Sequence, residues 1–327
     1  MSAVDAPPAG RRFGAGPARP VSGRGPAPAR RTGTTSDLHR RERRWAAAFI
    51  APVVLGFVLF AVLPFCFSLY AAFTNWNGLS APTFTGLENF RLMMADDYFW
   101  QALWNTLFLM IGIPIGLSIS LVLAMAMNRR MPGRSVFRVI YYLPVVTSLA
   151  AISILWQWAF NGDFGLINQG LALIGIDGPN WLQEASTSKP ALVLMMVWKG
   201  LGFSMLLYLA ALQSVPRSLY EAAELDGAGA WGTFRHITFP MLRPVTFFLV
   251  VTNIIGGSQV FTEVNIMTPN GGPEFSTATI VWYIWQKGFQ NLQLGYATAM
   301  SLVLGLLVFV ITLIQFRLNA RNSFSVE

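Results

Sequence analysis

The 327-residue chain contains one cysteine, two histidines and three lysines, and each scarcity excludes a kind of chemistry. A lone Cys66 cannot build a disulfide framework. Neither His39 nor His236 has a Cys or His at metal-ligand spacing, so no metal site is expected. None of Lys189, Lys199 and Lys287 follows a glycine, so no G-x-x-x-x-G-K phosphate loop exists and ATP cannot be bound that way. There is no H-E-x-x-H run and no catalytic pair between apolar segments, and the chain is expected not to be an enzyme. Charge is also scarce: 12% Asp, Glu, Lys and Arg, against about 25% in an ordinary soluble domain. That shortage points to lipid as the solvent.

Apolar sequence is abundant, at 54% of residues. Six stretches stand out, at 45–73, 105–128, 136–160, 190–213, 244–266 and 294–316. Each reaches the roughly 20 residues that a helix rising about 1.5 Å per residue needs to cross the hydrocarbon core. VLGFVLFAVL at 54–63 and MSLVLGLLVFVITLI at 300–314 are apolar on every face, which excludes the alternating pattern of a transmembrane barrel. An all-α polytopic membrane protein with six transmembrane helices is expected, with its membrane domain over 45–320.

The net charge of +8 does not indicate nucleic acid, because the basic residues are segregated. Nineteen of the 23 Lys and Arg fall before the first stretch, between the second and third or at the start of the third, between the fourth and fifth, or after the sixth. Only Arg91, Lys189 and Lys287 lie in the alternate connections, and Lys199 lies within the fourth stretch. The positive-inside rule then places both termini in the cytoplasm. Residues 1–44 are rich in Pro, Gly, Ala and Arg and are expected to be a disordered basic tail, with a second short tail at 321–327. The first apolar stretch exceeds the core of a signal peptide and is expected to stay uncleaved.

Polar groups inside the spans are few: Lys199 in the fourth, and Asn253, Gln259 and Glu263 in the fifth. Such groups are costly in a bilayer and usually face a bundle interior or a water-filled path. Asn253 could instead bond a neighbouring helix, Glu263 could reach the headgroups, and Lys199 could snorkel. Gly200, Gly202, Gly256 and Gly257 lie beside them and serve either close helix packing or room for a ligand.

The most densely charged and punctuated segment, EAAELDGAGAWGTFRHITFPMLRP at 221–244, separates the fourth and fifth stretches. Pro216 suits a helix first turn, so a helix over about 216–225 is expected, followed by a D-G turn at Asp226 and Gly227. Trp231, Phe234 and Ile237 then share one face of a second short helix, which Pro240 and Pro244 are expected to stop before the fifth span begins. The result is a helix-turn-helix elbow.

That elbow resembles the EAA loop of the inner-membrane permease subunits of bacterial ABC importers. Glu221, Ala222, Ala223, Asp226, Gly227, Ala228, Phe234, Ile237, Pro240, Leu242 and Pro244 fall at the family spacing, and chance agreement over eleven positions is remote. FTGLENFRLM at 84–93, FRVIYYLP at 137–144, WQWAFNGDFGLIN at 156–168 and SQVFTEVNIMTPNGGP at 258–273 are similar to further stretches of the maltose and glycerol-3-phosphate branch. The resemblance implies that the elbow docks as a coupling helix on a separate ATPase. It further implies two permease subunits, two cytoplasmic ATPase subunits and an extracytoplasmic solute-binding protein, in a bacterial inner membrane. No cofactor is expected on this chain, since ATP would be bound by the partner. Solute contacts in that family lie on the corresponding spans, which makes Lys199, Phe203, Asn253, Gly257 and Gln259 the expected sugar path. An ion-coupled secondary transporter using Lys199 or Glu263 would need no ATPase and would show internal repeats, which are not evident. A scaffold or sensor would leave solute uptake intact on deletion.

Overall fold

The computed structural model describes residues 35–129 and 133–323. Two compact units are present, Met1–Ala61 and Val62–Glu327. The first contains helix α1 (Thr35–Phe57), which begins inside the segment expected to lack order. The remainder of the expected tail, 1–34, lies outside the described residues, as do 324–327 at the other end. Apolar side chains of α1 such as Trp45, Phe49 and Val53 are exposed, as expected where the part of the helix from Trp45 onward is solvated by lipid.

The second unit opens with α2 (Leu63–Ala71) and a minimal hairpin, β1 (Thr74–Asn75) against β2 (Thr83–Phe84). Helix α3 (Glu88–Met94) leads into α4 (Asp97–Leu109) and α5 (Gly112–Asn128), which together run from Asp97 to Asn128 as one apolar span. The third expected span differs. It is broken into α6 (Arg134–Val146) and α7 (Leu149–Ala159), set at 103° to each other. Pro144 has no N–H to continue the helical ladder, and Thr147 and Ser148 adopt extended ψ angles of 143° and 132°. The Thr147 hydroxyl bonds back to the Leu143 carbonyl at 2.8 Å, a local bond that competes with helix continuation. Among the described residues, five unbroken segments are long and apolar enough to span, or six if this bent pair is one.

A short α8 (Leu166–Ala172) precedes α9 (Ala185–Ser214), the 30-residue fourth span. Helices α5 and α9 share the most extensive contact of the unit, where Leu117, Ala124 and Met127 meet Met205, Leu209 and Leu212. The Ser120 hydroxyl donates to the Leu201 carbonyl at 3.2 Å across this seam. After α10 (Arg217–Leu225) comes α11 (Ala230–Thr233), then a π turn over Phe234–Thr238, then α12 (Phe239–Gly257). These last three form one continuous span from Ala230 to Gly257.

The expected stop at Pro240 and Pro244 is therefore absent. The Phe239 N–H bonds five residues back to Phe234, and such a widened turn absorbs the steric demand of a following proline. The fifth span also ends at Gly257 rather than 266. Residues 258–261 break the helix, and Glu263 sits on a separate α13 (Thr262–Met267). Helices α14 (Ile280–Trp285) and α15 (Leu294–Ser323) complete the fold. A second core gathers Phe99, Leu192, Met195, Met267, Trp282 and Met300 around the α13–α14 end.

Candidate functional site

The elbow is built by a helix end that only glycine closes without strain. Helix α10 ends at Asp226, and Gly227 follows at φ 72°. The Ala228 N–H bonds to the Ala223 carbonyl at 2.9 Å and the Gly227 N–H to the Glu224 carbonyl at 3.1 Å. This pair of bonds satisfies the last carbonyls of α10 and requires a left-handed residue at the turn. The Tyr220 hydroxyl lies 3.2 Å from the Thr238 hydroxyl, which ties α10 to the π turn. Ala223 is buried, while Glu221, Ala222, Glu224, Asp226 and Ala228 face outward. Leu225 is 90% exposed and Trp231 70% exposed, so two large apolar side chains project beside the acids. Phe234 stacks on Trp231 at 5.6 Å. Phe234, Ile237 and Pro240 are half-buried, and the elbow residues expected from sequence are thus assembled in one place.

The elbow joins the two helices that wall a cavity of about 310 Å³. Helix α9 presents Met196, Lys199, Gly200 and Ser204 to it, α12 presents Thr252, Asn253, Gly256 and Gly257, and α5 presents Gly112, Ile113 and Gly116. Glu263 of α13 also lines it. Of the expected path residues, Lys199, Asn253 and Gly257 line this space. Phe203 and Gln259 do not: both are exposed away from it. Phe203 lies between the cavity-facing Gly200 and Ser204 but on another face of α9, and Gln259 lies in the break after α12. The Asn253 amide donates to the Leu249 carbonyl at 2.7 Å, which fixes the side chain while its carbonyl oxygen and second N–H can still serve a partner.

The structure separates the glycines that sequence left open. A side chain at Gly202 would collide with the Tyr141 carbonyl of α6, so that glycine serves packing. One at Gly257 would meet Met110 and Ile113 at 3.4 and 3.5 Å, ordinary contact that brings α12 against α5. One at Gly200 or Gly256 would meet nothing within 4 Å.

Sequence reasoning also missed Gly116, Ser204 and Thr252. The signal was present as fourfold spacing, 196–200–204 on α9, 252–256 on α12 and 112–116 on α5, which puts each set on one helix face. A further cluster lies around Asp96, the N-cap of α4, which accepts from the Tyr98 N–H. Lys287 stands over the rings of Tyr283 and Tyr296 at 5.2 and 5.8 Å. Partial burial acts to raise the Asp96 pKa, but hydrogen bonds from the two phenols and the Lys287 charge outweigh it and hold the carboxyl below its ordinary range.

The sequence pattern described as binding-protein-dependent transport system inner membrane component matches residues 112–324. The chain belongs to this family. It is a family of transport permeases, and the apolar spans fit its multi-pass membrane setting. A relative, the lactose transport system permease protein LacF of Rhizobium radiobacter, is 37% identical over 82% of this chain and 91% of its own. The sn-glycerol-3-phosphate transport system permease protein UgpA of Pectobacterium atrosepticum is 36% identical over 84% of this chain and 93% of its own. Among solved structures, a bacterial ABC transporter involved in the import of the acidic polysaccharide alginate superposes with a TM-score of 0.74 at 26% identity, covering 88% of this chain and 99% of that one. The same kind of transporter in complex with an alginate pentasaccharide-bound periplasmic protein superposes at 0.75. This permease is accordingly an inner-membrane component of a binding-protein-dependent transport system.

Proposed function

We propose that this permease carries a carbohydrate inward by alternating access, as one of two membrane subunits powered by two copies of a separate cytoplasmic ATPase that grips the elbow. The observation that carries the reading is the continuity of the elbow with the cavity wall. Trp231 and Asn253 lie on one helical span, so a push at the first is delivered to the second across roughly 33 Å at about 1.5 Å per residue. The other arm of the elbow, α10, follows directly on α9, whose Lys199 and Gly200 form the facing wall. A rigid unit that moves two walls of one cavity is what a two-state gate requires. The exposed Leu225 and Trp231, with Glu221, Glu224 and Asp226 around them, form an apolar and acidic surface suited to a soluble partner.

Relatives named for lactose, arabinooligosaccharides and diacetylchitobiose support a sugar as the solute. The cavity combines an amide, an ammonium and hydroxyls with apolar walls, the composition of a site that orients a polyhydroxylated molecule. The solute would arrive on an extracytoplasmic binding protein, as in the alginate complex. No cofactor or catalytic residue on this chain takes part. Both termini and the elbow are placed in the cytoplasm by charge distribution. Deleting the chain from its host and measuring uptake of labelled lactose, galactose and raffinose tests the reading. Loss of uptake restored by the wild-type chain is expected, with reporter fusions near 228 inside and near 90, 175 and 275 outside. Unchanged uptake of all three sugars, or a cytoplasmic reporter at 175, would overturn it.

A further inference from the structure

Two of the cavity glycines have no structural reason to be glycine. Gly200 and Gly256 sit within α9 and α12 at ordinary helical φ, and a side chain at either would meet no atom within 4 Å. Glycine inside a helix weakens it relative to alanine, and here neither backbone conformation nor packing asks for it. The contrast within the same region is direct. A side chain at Gly112 would press on Val193 and Val197 at 3.3 and 3.2 Å, and one at Gly202 would meet backbone. What Gly200 and Gly256 contribute is volume. They stand on facing walls of the cavity, each next in sequence or one turn from one of its polar groups, Lys199 and Asn253.

We propose that Gly200 and Gly256 set the width of the solute path and thereby the largest sugar the permease accepts. The inference rests on the permease reading above, and it assigns to these two positions a specificity role rather than a packing one. The polar neighbours hold hydroxyls, and the missing side chains leave the space a sugar ring fills. A side chain at either position narrows the path without disturbing the bundle, so larger solutes are lost first.

The test has two arms, both in membranes containing the complete transporter and a Cys66→Ser background, because the native thiol is exposed. In the first, Gly200→Cys, Gly256→Cys and, as a buried control in the α5–α9 seam, Ala124→Cys are exposed to a permanently charged, water-soluble methanethiosulfonate. Labelling at 200 and 256 is expected to be at least tenfold faster than at 124. Equal slow labelling would mean lipid or protein covers both, and would overturn the proposal. In the second arm, uptake of labelled galactose, lactose and raffinose is compared for wild type, Gly200→Ala, Gly200→Val, Gly256→Ala and Gly256→Val at matched amounts of inserted protein. Raffinose or lactose uptake is expected to fall at least tenfold more than that of the smallest sugar carried, with valine exceeding alanine. A loss equal for every sugar, or none, would overturn the gauge. If wild type carries none of these sugars, the carbohydrate reading fails, and the labelling arm still decides whether the two positions face an aqueous path.

Discussion

Tyr283 and Tyr296 donate their phenol hydrogens to the same oxygen of Asp96, at 2.6 and 2.7 Å. One carboxylate thus fastens the starts of α4 and α15 and the short α14, elements nearly 200 positions apart in sequence. Tyr283 is buried, and burial together with the Asp96 contact pushes its phenol well above the ordinary value, so it remains a donor.

Removing either phenol should loosen this end of the bundle. A hydrogen bond to a charged group is worth about 1.5–3 kcal/mol, so Tyr283→Phe and Tyr296→Phe should each lower the thermal midpoint in detergent, and the pair should fall short of additive. The pH dependence has a definite sign. The Asp96 pKa is depressed in the folded state, so its contribution is full above the ordinary carboxylate pKa and is lost as pH falls through the lowered value. A midpoint difference between wild type and Asp96→Asn that grows on acidification, instead of shrinking, would contradict the clasp.

The glycine at 202 offers a packing test. With the Tyr141 carbonyl against it, Gly202→Ala must push α6 off α9, and overpacking of this kind costs about 1–3 kcal/mol. The variant should insert poorly or melt early, whereas Gly200→Ala, one half-turn away, should melt no earlier than wild type. Equal midpoints for the two variants would mean that α6 does not rest on α9.

Much of this architecture was legible from sequence because lipid enforces simple patterns. The apolar lengths of 190–213 and 294–316 and the cluster of Asp226 and Gly227 at a helix end each have one physical solution, and α9, α15 and the glycine-closed elbow follow. Two of the errors concern prolines, in opposite directions. Pro240 and Pro244 were expected to end a helix, yet the π turn at Phe234–Thr238 absorbs Pro240 and the span runs through both. Pro144, expected inside a straight span, precedes a 103° bend. Whether a proline bends or passes is decided by neighbouring turns and not by the residue itself. The cavity was half legible. Lys199, Asn253 and Gly257 were found by their polarity or smallness, but Phe203 sits on the outward face of α9 and Gln259 falls beyond the point where α12 stops.

That difference separates two substitutions that polarity alone treats alike. Asn253 faces the cavity with its amide anchored to Leu249, so Asn253→Leu removes a fixed acceptor from the path. Losing one hydrogen bond to a solute corresponds to about a tenfold change in binding at 1.4 kcal/mol. Gln259→Leu changes a residue outside the cavity and should alter uptake by less than about twofold. Both should keep basal ATP hydrolysis. Equal losses of sugar uptake in the two variants would remove this cavity as the path.

The elbow carries the most decisive substitutions. Gly227 stands at φ 72°, which a non-glycine residue adopts at a cost of about 1–2 kcal/mol and which proline, fixed near φ −65°, cannot adopt at all. Gly227→Pro also removes the N–H that bonds to Glu224. The turn between α10 and α11 must then open, while the spans on either side, packed through Leu209, Leu212 and Leu242, should still insert. Glu221→Lys leaves the turn alone and reverses charge on the exposed face of α10. If that face grips a motor, both variants should reach the membrane at wild-type levels, retain the ATPase at least tenfold less well in pull-down from detergent, or hydrolyse ATP without moving sugar. Gly227→Ala should fall between wild type and proline, since it pays the left-handed cost but keeps the N–H. An elbow that was only a connector would tolerate the lysine without effect. Normal ATPase retention and normal sugar uptake in Glu221→Lys and Gly227→Pro together would show that the motor grips the permease elsewhere.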